Sequence, residues 1–306
     1  MKTLYVSDLD GTLLRSSERT SDFTNRTINE LVEQGVLFSY ATARSYLTAH
    51  KVTQGLNARI PVIIYNGAFI RDHVSGEILL SSYFEDGAET LLKELLDADV
   101  YPLVYATFSG DSRVSIEDGQ SGRNHRGEDG HGQEEKLSEN FYEKFSYIPQ
   151  RATEGMRRFL DTRKGDERER AVSTVEELMD GDIFYFTCID EREKLAAICE
   201  RYRERYHCVL SQEIYTKDWF LEIMPPATSK SRAVMRLKEY LGCDRVVAFG
   251  DQNNDIDMFE VADEAYAVEN AVEELKAVAT GVIASNDDDG VAHFLRERLS
   301  EFLKKA

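Results

Sequence analysis

Three observations in the sequence predict an α/β fold, a doubly wound parallel sheet with a second α/β domain inserted into it. Short, continuously apolar runs end abruptly at polar or glycine residues, which suits strands buried on both faces of a parallel sheet. Amphipathic helical stretches alternate with these runs. A central segment with strands and helices of its own then separates the first half of the pattern from the second.

The pattern begins with a strand at Thr3–Val6, just before Asp8. A helix over Thr24–Gln34 follows, carrying Ile28, Leu31 and Val32 on one face and stopping at Gly35, a suitable residue just past a helix end. Strands are expected at Val36–Ala41, before Thr42, and at Pro61–Tyr65, before Asn66. The central segment from Tyr83 to Met224 reads as a helix (Asp86–Ala98), strands (Tyr101–Phe108, Arg113–Ile116), a helix (Thr174–Met179), a strand (Ile183–Ile189), a helix (Glu191–Tyr206) and two final strands (Cys208–Ser211, Trp219–Met224). The first pattern then resumes with a helix over Ser229–Leu241, which carries Ala233, Val234, Leu237 and Leu241 and stops at Gly242. A strand at Arg245–Phe249 leads to Gly250-Asp251, with shorter runs at Ala265–Val268 and Val282–Ala284. Asn270 with Glu273 three residues on predicts a capped helix through Ala279. The crossings fall at Ser81-Ser82 and Pro225-Pro226, so residues 1–82 and 225–306 form one unit and residues 83–224 the other. No internal repeat is visible. Gly119–Lys136 is polar and glycine-rich and reads as a mobile loop, and its His125, Glu128, Asp129 and His131 read as solvated rather than metal-binding.

With 306 residues, 42% of them hydrophobic and 30% charged, the chain can bury a full core. Asp+Glu (56) outnumber Lys+Arg (37), giving a net charge of −19. That field repels nucleic-acid phosphates and anionic membranes, so neither is an expected partner. A phosphorylated ligand would need a local cation. No apolar run approaches the roughly 18 residues of a membrane span, and the N-terminus turns acidic at Asp8, too early for a signal peptide. Cys188, Cys199, Cys208 and Cys243 form no CxxC pair, so a reduced cytoplasmic chain is expected. No GxSxG, GxGxxG or GxxxxGK[ST] motif occurs, which removes the usual signatures of serine hydrolases, dinucleotide enzymes and P-loop NTPases.

In doubly wound sheets ligands bind beyond the carboxyl ends of the strands, and Asp8, Thr42, Asn66 and Asp251 all fall there. Asp8-Leu9-Asp10-Gly11-Thr12 leaves a buried strand and turns sharply, so one carboxylate can face a substrate and the other its leaving group. Taken alone, the segment is also an ordinary turn. Gly250-Asp251-Gln252-Asn253-Asn254-Asp255 adds two carboxylates to the same rim. Four converging carboxylates repel and raise one another's pKa unless a cation joins them, and an all-oxygen site open to water suits Mg²⁺. An EF-hand fails here, because Ile256 stands where the loop needs glycine and Ala262 where it needs glutamate. Thr42, in Ala41-Thr42-Ala43-Arg44, offers a hydroxyl and a following N–H to a phosphate. Lys230 opens a helix, where free N–H groups favour anions. Each alone is equally readable as a helix cap or a solvated lysine.

In combination, DxDxT after the first strand, Thr after the second, Lys at a helix start and GDxxND after a later strand resemble the haloacid dehalogenase (HAD) phosphohydrolase superfamily. Only 34 residues separate Asp8 from Thr42, whereas 188 separate Thr42 from Lys230. The insertion therefore follows the third strand, as in members with a large α/β cap. Asn66-Gly67-Ala68, the GDxxND form, and Asn286 through Gly290-Val291-Ala292 resemble the Cof-type branch with a type IIB cap. The likeness is good over residues 1–82 and 225–299 and holds only in outline for the cap. Two departures, Ala43 and Ser231 where glycine is usual, touch the phosphate pocket.

The resemblance implies Mg²⁺-dependent hydrolysis of a small phosphorylated metabolite (sugar phosphate, nucleotide or cofactor phosphate) through an aspartyl-phosphate. Asp8 would be the nucleophile and Asp10 the general acid and base. The Asp8 carboxylate, the Asp10 carbonyl and Asp251 would hold the metal, with Asp255 orienting them from behind. Thr42, Ala43, Lys230 and Asn254 would hold the phosphoryl oxygens, and Arg44 and Asn66 would face the cap and substrate. The alternatives are phosphoryl transfer to another sugar, as in related mutases, and a non-catalytic metal- or partner-binding protein.

Overall fold

The computed structural model describes residues 1–57, 59–108, 142–213 and 216–300. The expected strand at Arg113–Ile116 and the Gly119–Lys136 stretch with its two histidines lie outside the described residues.

Five parallel strands form the first sheet, in the spatial order β2 (Leu37–Tyr40), β1 (Thr3–Ser7), β12 (Arg245–Gly250), β13 (Glu264–Val268) and β14 (Gly281–Ile283). β1, β2 and β12 are largely apolar and shielded on both faces, as the uninterrupted runs require, whereas β14 at the edge leaves Val282 exposed. β3 (Val62–Ile64) extends this sheet past β2 by one parallel bridge between Ala41 and Ile63. It also pairs antiparallel with β4 (Phe69–Arg71), which pairs with β5 (Ile78–Ser81). These last two strands have no counterpart in the sequence reading, because runs this short carry no resolvable period. From β1 the chain proceeds to one side, through β2 and β3, and after the insertion it fills the other side from β12 onward. The switch point, where a doubly wound sheet opens its crevice, therefore lies between the carboxyl ends of β1 and β12.

Helices α1 (Asp22–Glu33), α2 (Tyr46–Val52), α7 (Lys230–Tyr240), α8 (Ile256–Val261), α9 (Glu273–Val278) and α10 (Gly290–Arg298) flank these strands. Ser21, Ser45 and Ser229 cap α1, α2 and α7, each accepting an amide N–H three residues on. Asn270 does not cap a helix as expected; α9 starts only at Glu273, behind Val272. The Asn270 amide instead donates to the Gly11 carbonyl at 2.7 Å, and its oxygen accepts the Asn286 N–H at 3.0 Å, so it ties together two loops of the strand-end rim.

The second sheet has six strands, ordered β10 (His207–Gln212), β11 (Trp219–Met224), β9 (Asp182–Asp190), β6 (Leu103–Phe108), β7 (Tyr142–Tyr147) and β8 (Glu169–Ala171). All neighbours are antiparallel except β7 and β8. With it go α3 (Ala88–Asp97), α4 (Glu154–Asp161), α5 (Val175–Leu178) and α6 (Arg192–Tyr202). Leu91, Leu95, Leu195 and Ile198 of α3 and α6 bury one face of the sheet against Val104 and Phe186. The other face joins the main core. A register shift opposite Tyr105 and Ala106 turns both Phe184 and Tyr185 that way. Phe184 meets Tyr65 and Phe69 edge-on, with centroids 5.0 and 4.8 Å apart. Both crossings between the sheets are held together by Thr228, whose hydroxyl donates to Ser82 at 2.8 Å.

Two contacts beside the site generate expectations. Gly67 has φ +94° and presses on the start of α7, where an added Cβ would sit 2.2 Å from the Ser229 carbonyl oxygen. Gly67→Ala is therefore expected to cost more than about 1 kcal/mol of stability in urea titration. Glu264 accepts from Arg298, Tyr266 and Arg245, which joins β12, β13 and α10. Hydrogen bonding from Arg298, aided by Tyr266 and Arg245 and opposed by burial, lowers its carboxyl to about 2. A depressed acid stabilises fully above its ordinary value of 4.5 and loses that contribution as pH falls toward 2. Glu264→Gln is expected to lower the melting temperature at pH 7, with the deficit against wild type narrowing between pH 5 and pH 3.

Candidate active site

β1 delivers Asp8 to the switch point, and β12 delivers Asp251 beside it. The tight turn Leu9–Leu13 bends the chain directly after Asp8. Gly11 makes that bend possible: its φ is +76°, and a Cβ there would stand 2.3 Å from an Asp251 carboxylate oxygen. Thr12, on the same turn, donates its hydroxyl to Asp251 Oδ1 at 2.9 Å.

Lys230 reaches in from the first turn of α7 and is buried. Its ammonium donates to Asp8 Oδ1 at 2.6 Å and to Asp255 Oδ1 at 2.7 Å. The other oxygen of Asp255 accepts the main-chain N–H groups of Asp251 (3.0 Å) and Gln252 (3.2 Å), so Asp255 braces the loop that carries Asp251. Oxygens of Asp8, Asp251 and Asp255 lie within 4.8 Å of one another, and all three residues are buried.

Three carboxylates and one ammonium in one buried place leave a surplus of negative charge. Burial, with the Asp255 and Asp10 charges, pushes the Asp8 carboxyl up to about 7 against the pull of Lys230. Asp251 is raised well above the carboxylate range by burial and then by Asp8 and Asp255. Lys230 is held above the usual lysine range because Asp255 and Asp8 outweigh its own burial. An all-oxygen donor set with this charge surplus fits a hard divalent cation of the Mg²⁺ kind.

The remaining expected residues fall around this cluster. Thr42 is buried and its hydroxyl accepts the Arg44 N–H at 3.1 Å. The Thr42 carbonyl accepts the Asn66 N–H at 2.9 Å, which joins two strand ends. Asp8, Asp10, Ala43, Arg44 and Asn254 line one cavity of about 560 Å³ between the two sheets. Arg44 lines that cavity and forks onto Asp10, with Nε and Nη2 donating at 2.7 and 2.6 Å. The reason is electrostatic, since a half-buried carboxylate and a guanidinium on adjoining loops form the bidentate pair. Asn66 does face the second sheet, in a left-handed turn with φ 50°. Its amide donates to Tyr185 Oη and Glu222 Oε2, both at 2.8 Å, and its oxygen is 3.5 Å from the Asn254 amide.

Tyr185, Glu222, Arg163 and Arg168 also line the cavity and were not singled out by sequence reasoning. A signal existed for Glu222, a lone charge inside the apolar strand Trp219–Met224. Burial raises its carboxyl above the usual range, against Tyr185 and Asn66. No local signal marks Tyr185 or Arg163, whose placement follows from packing of the two sheets.

Among the described residues, no helix is long and apolar enough to cross a membrane. The chain is 29% identical over 307 residues to the 5-amino-6-(5-phospho-D-ribitylamino)uracil phosphatase YwtE of Bacillus subtilis, covering 98% of this chain and 99% of that protein. It is 24% identical over 300 residues to YitU, a phosphatase of the same description from that organism, covering 97% of each. A solved haloacid dehalogenase-like hydrolase from B. subtilis superposes with a TM-score of 0.72 at 22% identity, over 97% of this chain and 99% of that one. A second, from Bacteroides thetaiotaomicron, gives 0.70 at 21% identity, over 97% and 100%. Residues 5–295 match the family of haloacid dehalogenase-like hydrolases, and the chain belongs to it.

Proposed function

We propose that this HAD-type phosphatase hydrolyses a small phosphorylated metabolite in two steps through Asp8, with Mg²⁺ as its metal. The observation that carries the reading is the buried contact of Lys230 with Asp8 and Asp255, beside Asp251, with Asp8 itself lining the cavity. In the first step an Asp8 carboxylate oxygen attacks phosphorus, the ester P–O bond breaks, and the leaving oxygen takes a proton from Asp10. In the second, Asp10 takes a proton from water as the water oxygen attacks phosphorus. The bond between phosphorus and Asp8 breaks, which frees phosphate and restores the carboxylate.

Lys230 uses two of its three donors on Asp8 and Asp255, so one remains for a phosphoryl oxygen. The Thr42 hydroxyl, the Ala43 N–H and the Asn254 amide would complete the cradle. Arg44 donates one N–H to each Asp10 oxygen, which orients the carboxylate and leaves each oxygen a second lone pair for a leaving group or water. Mg²⁺, held by the Asp8 carboxylate, the Asp10 carbonyl and Asp251 with Asp255 behind them, would offset the repulsion between Asp8 and the phosphate dianion. Residues 83–224 would act as a cap that covers the leaving group and excludes water. The names of the two B. subtilis relatives make 5-amino-6-(5-phospho-D-ribitylamino)uracil the first ester to assay.

Asp8→Asn keeps the shape of the side chain and removes the nucleophile. Phosphate release is expected to fall at least about 1000-fold, or ~4 kcal/mol, with an unchanged circular dichroism spectrum. Turnover within tenfold of wild type would remove Asp8 from this role. Excess EDTA is expected to stop release and added Mg²⁺ to restore it, whereas Ca²⁺, which prefers more ligands at longer distances, restores little. Free phosphate in step with substrate loss distinguishes hydrolysis from transfer to a second sugar.

A further inference from the structure

The cavity is lined both by the carboxylates Asp8 and Asp10 and by a group of aromatic rings. Tyr105 stands at the centre of one wall, 5.7 Å from Tyr65, 5.6 Å from Phe145 and 5.7 Å from Tyr185 between centroids. Phe159 and Phe220, 5.8 Å apart, line the cavity as well.

Arg163 joins these rings. Its guanidinium carbon lies 3.5 Å from the centroid of Phe159, so one face is covered by that ring. Nη1 donates to the Phe159 carbonyl at 3.2 Å and to the Thr162 hydroxyl at 2.9 Å, both uncharged acceptors. Arg44 and Arg168, the neighbouring arginines of the cavity, are paired with Asp10 and with Glu143 and Asp166. Among the described residues Arg163 makes no ion pair. Burial, then the Arg44 and Arg168 charges, pulls its guanidinium below the usual arginine range. A partly buried cation with spare donors can take acceptors from a ligand.

Those acceptors need not carry charge. The cavity is lined by Glu18, Glu213, Asp218 and Glu222 as well as by Arg19, Lys51 and Arg168, so its charge alone selects no second acidic group on the substrate. Aromatic walls and a guanidinium covered on one face instead suit a flat, uncharged ring with oxygen acceptors in its plane. We propose that Arg163 is a specificity-determining residue that binds the carbonyl edge of a planar heterocycle on the leaving group, with the ring lying among the aromatic side chains. This rests on the phosphatase reading above and adds to it the class of ester that the cavity selects.

The test compares wild type with Arg163→Met and Arg163→Lys, each checked by thermal melting, on four phosphates with Mg²⁺. 5-Amino-6-(5-phospho-D-ribitylamino)uracil carries the ring on a ribityl chain, ribitol 5-phosphate is the same chain without it, 3-phosphoglycerate is a shorter, three-carbon ester that ends in a carboxylate, and acetyl phosphate has only the small acetate as its leaving group. Wild type is expected to prefer the ring-bearing ester. Arg163→Met is expected to lower kcat/KM on that ester by about tenfold or more, chiefly through KM, and to change ribitol 5-phosphate and acetyl phosphate less than about twofold. Arg163→Lys keeps the charge without the planar fork and is expected to show the same selective loss to a smaller degree. Equal losses on all four phosphates, no loss on any, a loss confined to 3-phosphoglycerate, or a wild type indifferent to the ring would each overturn the inference. Should Arg163→Met melt below the assay temperature, the same comparisons on Arg163→Lys decide. Wild type that turns over none of the four, acetyl phosphate included, would instead overturn the phosphatase reading beneath it.

Discussion

Lys230 is shared between Asp8 and Asp255 in a buried place, and the architecture around the switch point is arranged about that contact. A single ammonium there makes two buried carboxylates tolerable, since each without a partner would carry a desolvation penalty of several kcal/mol. The contact also spans the chain: Asp8 leaves the first strand, Lys230 begins the helix after the insertion, and Asp255 follows the strand next to the first. Asp251 joins the group through Thr12 and remains short of positive charge. That deficit suits the place to a divalent cation rather than to a closed structural ion pair.

The surrounding turns keep the group in register. Gly11 and Gly67 adopt backbone conformations with positive φ, and at both a methyl group would strike a residue of the cluster or its support. Tyr65 and Asn66 share the left-handed conformation of Gly67. For Tyr65 this is an unfavourable conformation, and main-chain bonds from Tyr65 to Arg44 and from Asn66 to Thr42 hold the turn. The strained turn carries two side chains toward the second sheet, Tyr65 into its aromatic cluster and Asn66 onto Tyr185 and Glu222. Backbone strain at a site is often tied to such positioning.

The two sheets meet with different chemistry at different depths. Phe184 against Tyr65 and Phe69 gives an apolar seam near the crossings, whereas Asn66, Tyr185 and Glu222 form a polar clasp beside the reactive rim. Arg44 on Asp10 is a pairing of the same rim that lies within the cavity itself. A ligand entering between the sheets therefore meets polar contacts that can be exchanged, while the apolar seam behind them stays packed.

The order and identity of the strand-end residues were legible in the chain. Asp8, Asp10, Thr42, Lys230 and Asp251 follow strands or open a helix, and apolar periodicity marks those boundaries without any long-range information. The family was legible for the same reason, because its motifs are local. Apolar periodicity and glycine stops placed α1 and α7 closely, while Asn270 does not cap a helix as expected, since its partners Gly11 and Asn286 are distant in the chain. β4 and β5 were missed because three or four residues carry no period. Only the tertiary structure decided that Lys230 lies between Asp8 and Asp255, that Arg44 forks onto Asp10, and that Arg163 stands among aromatic rings without a carboxylate partner among the described residues. Pairings of that kind depend on which sheet faces come together and which charges are left uncompensated there, and neither is encoded within any short window of sequence.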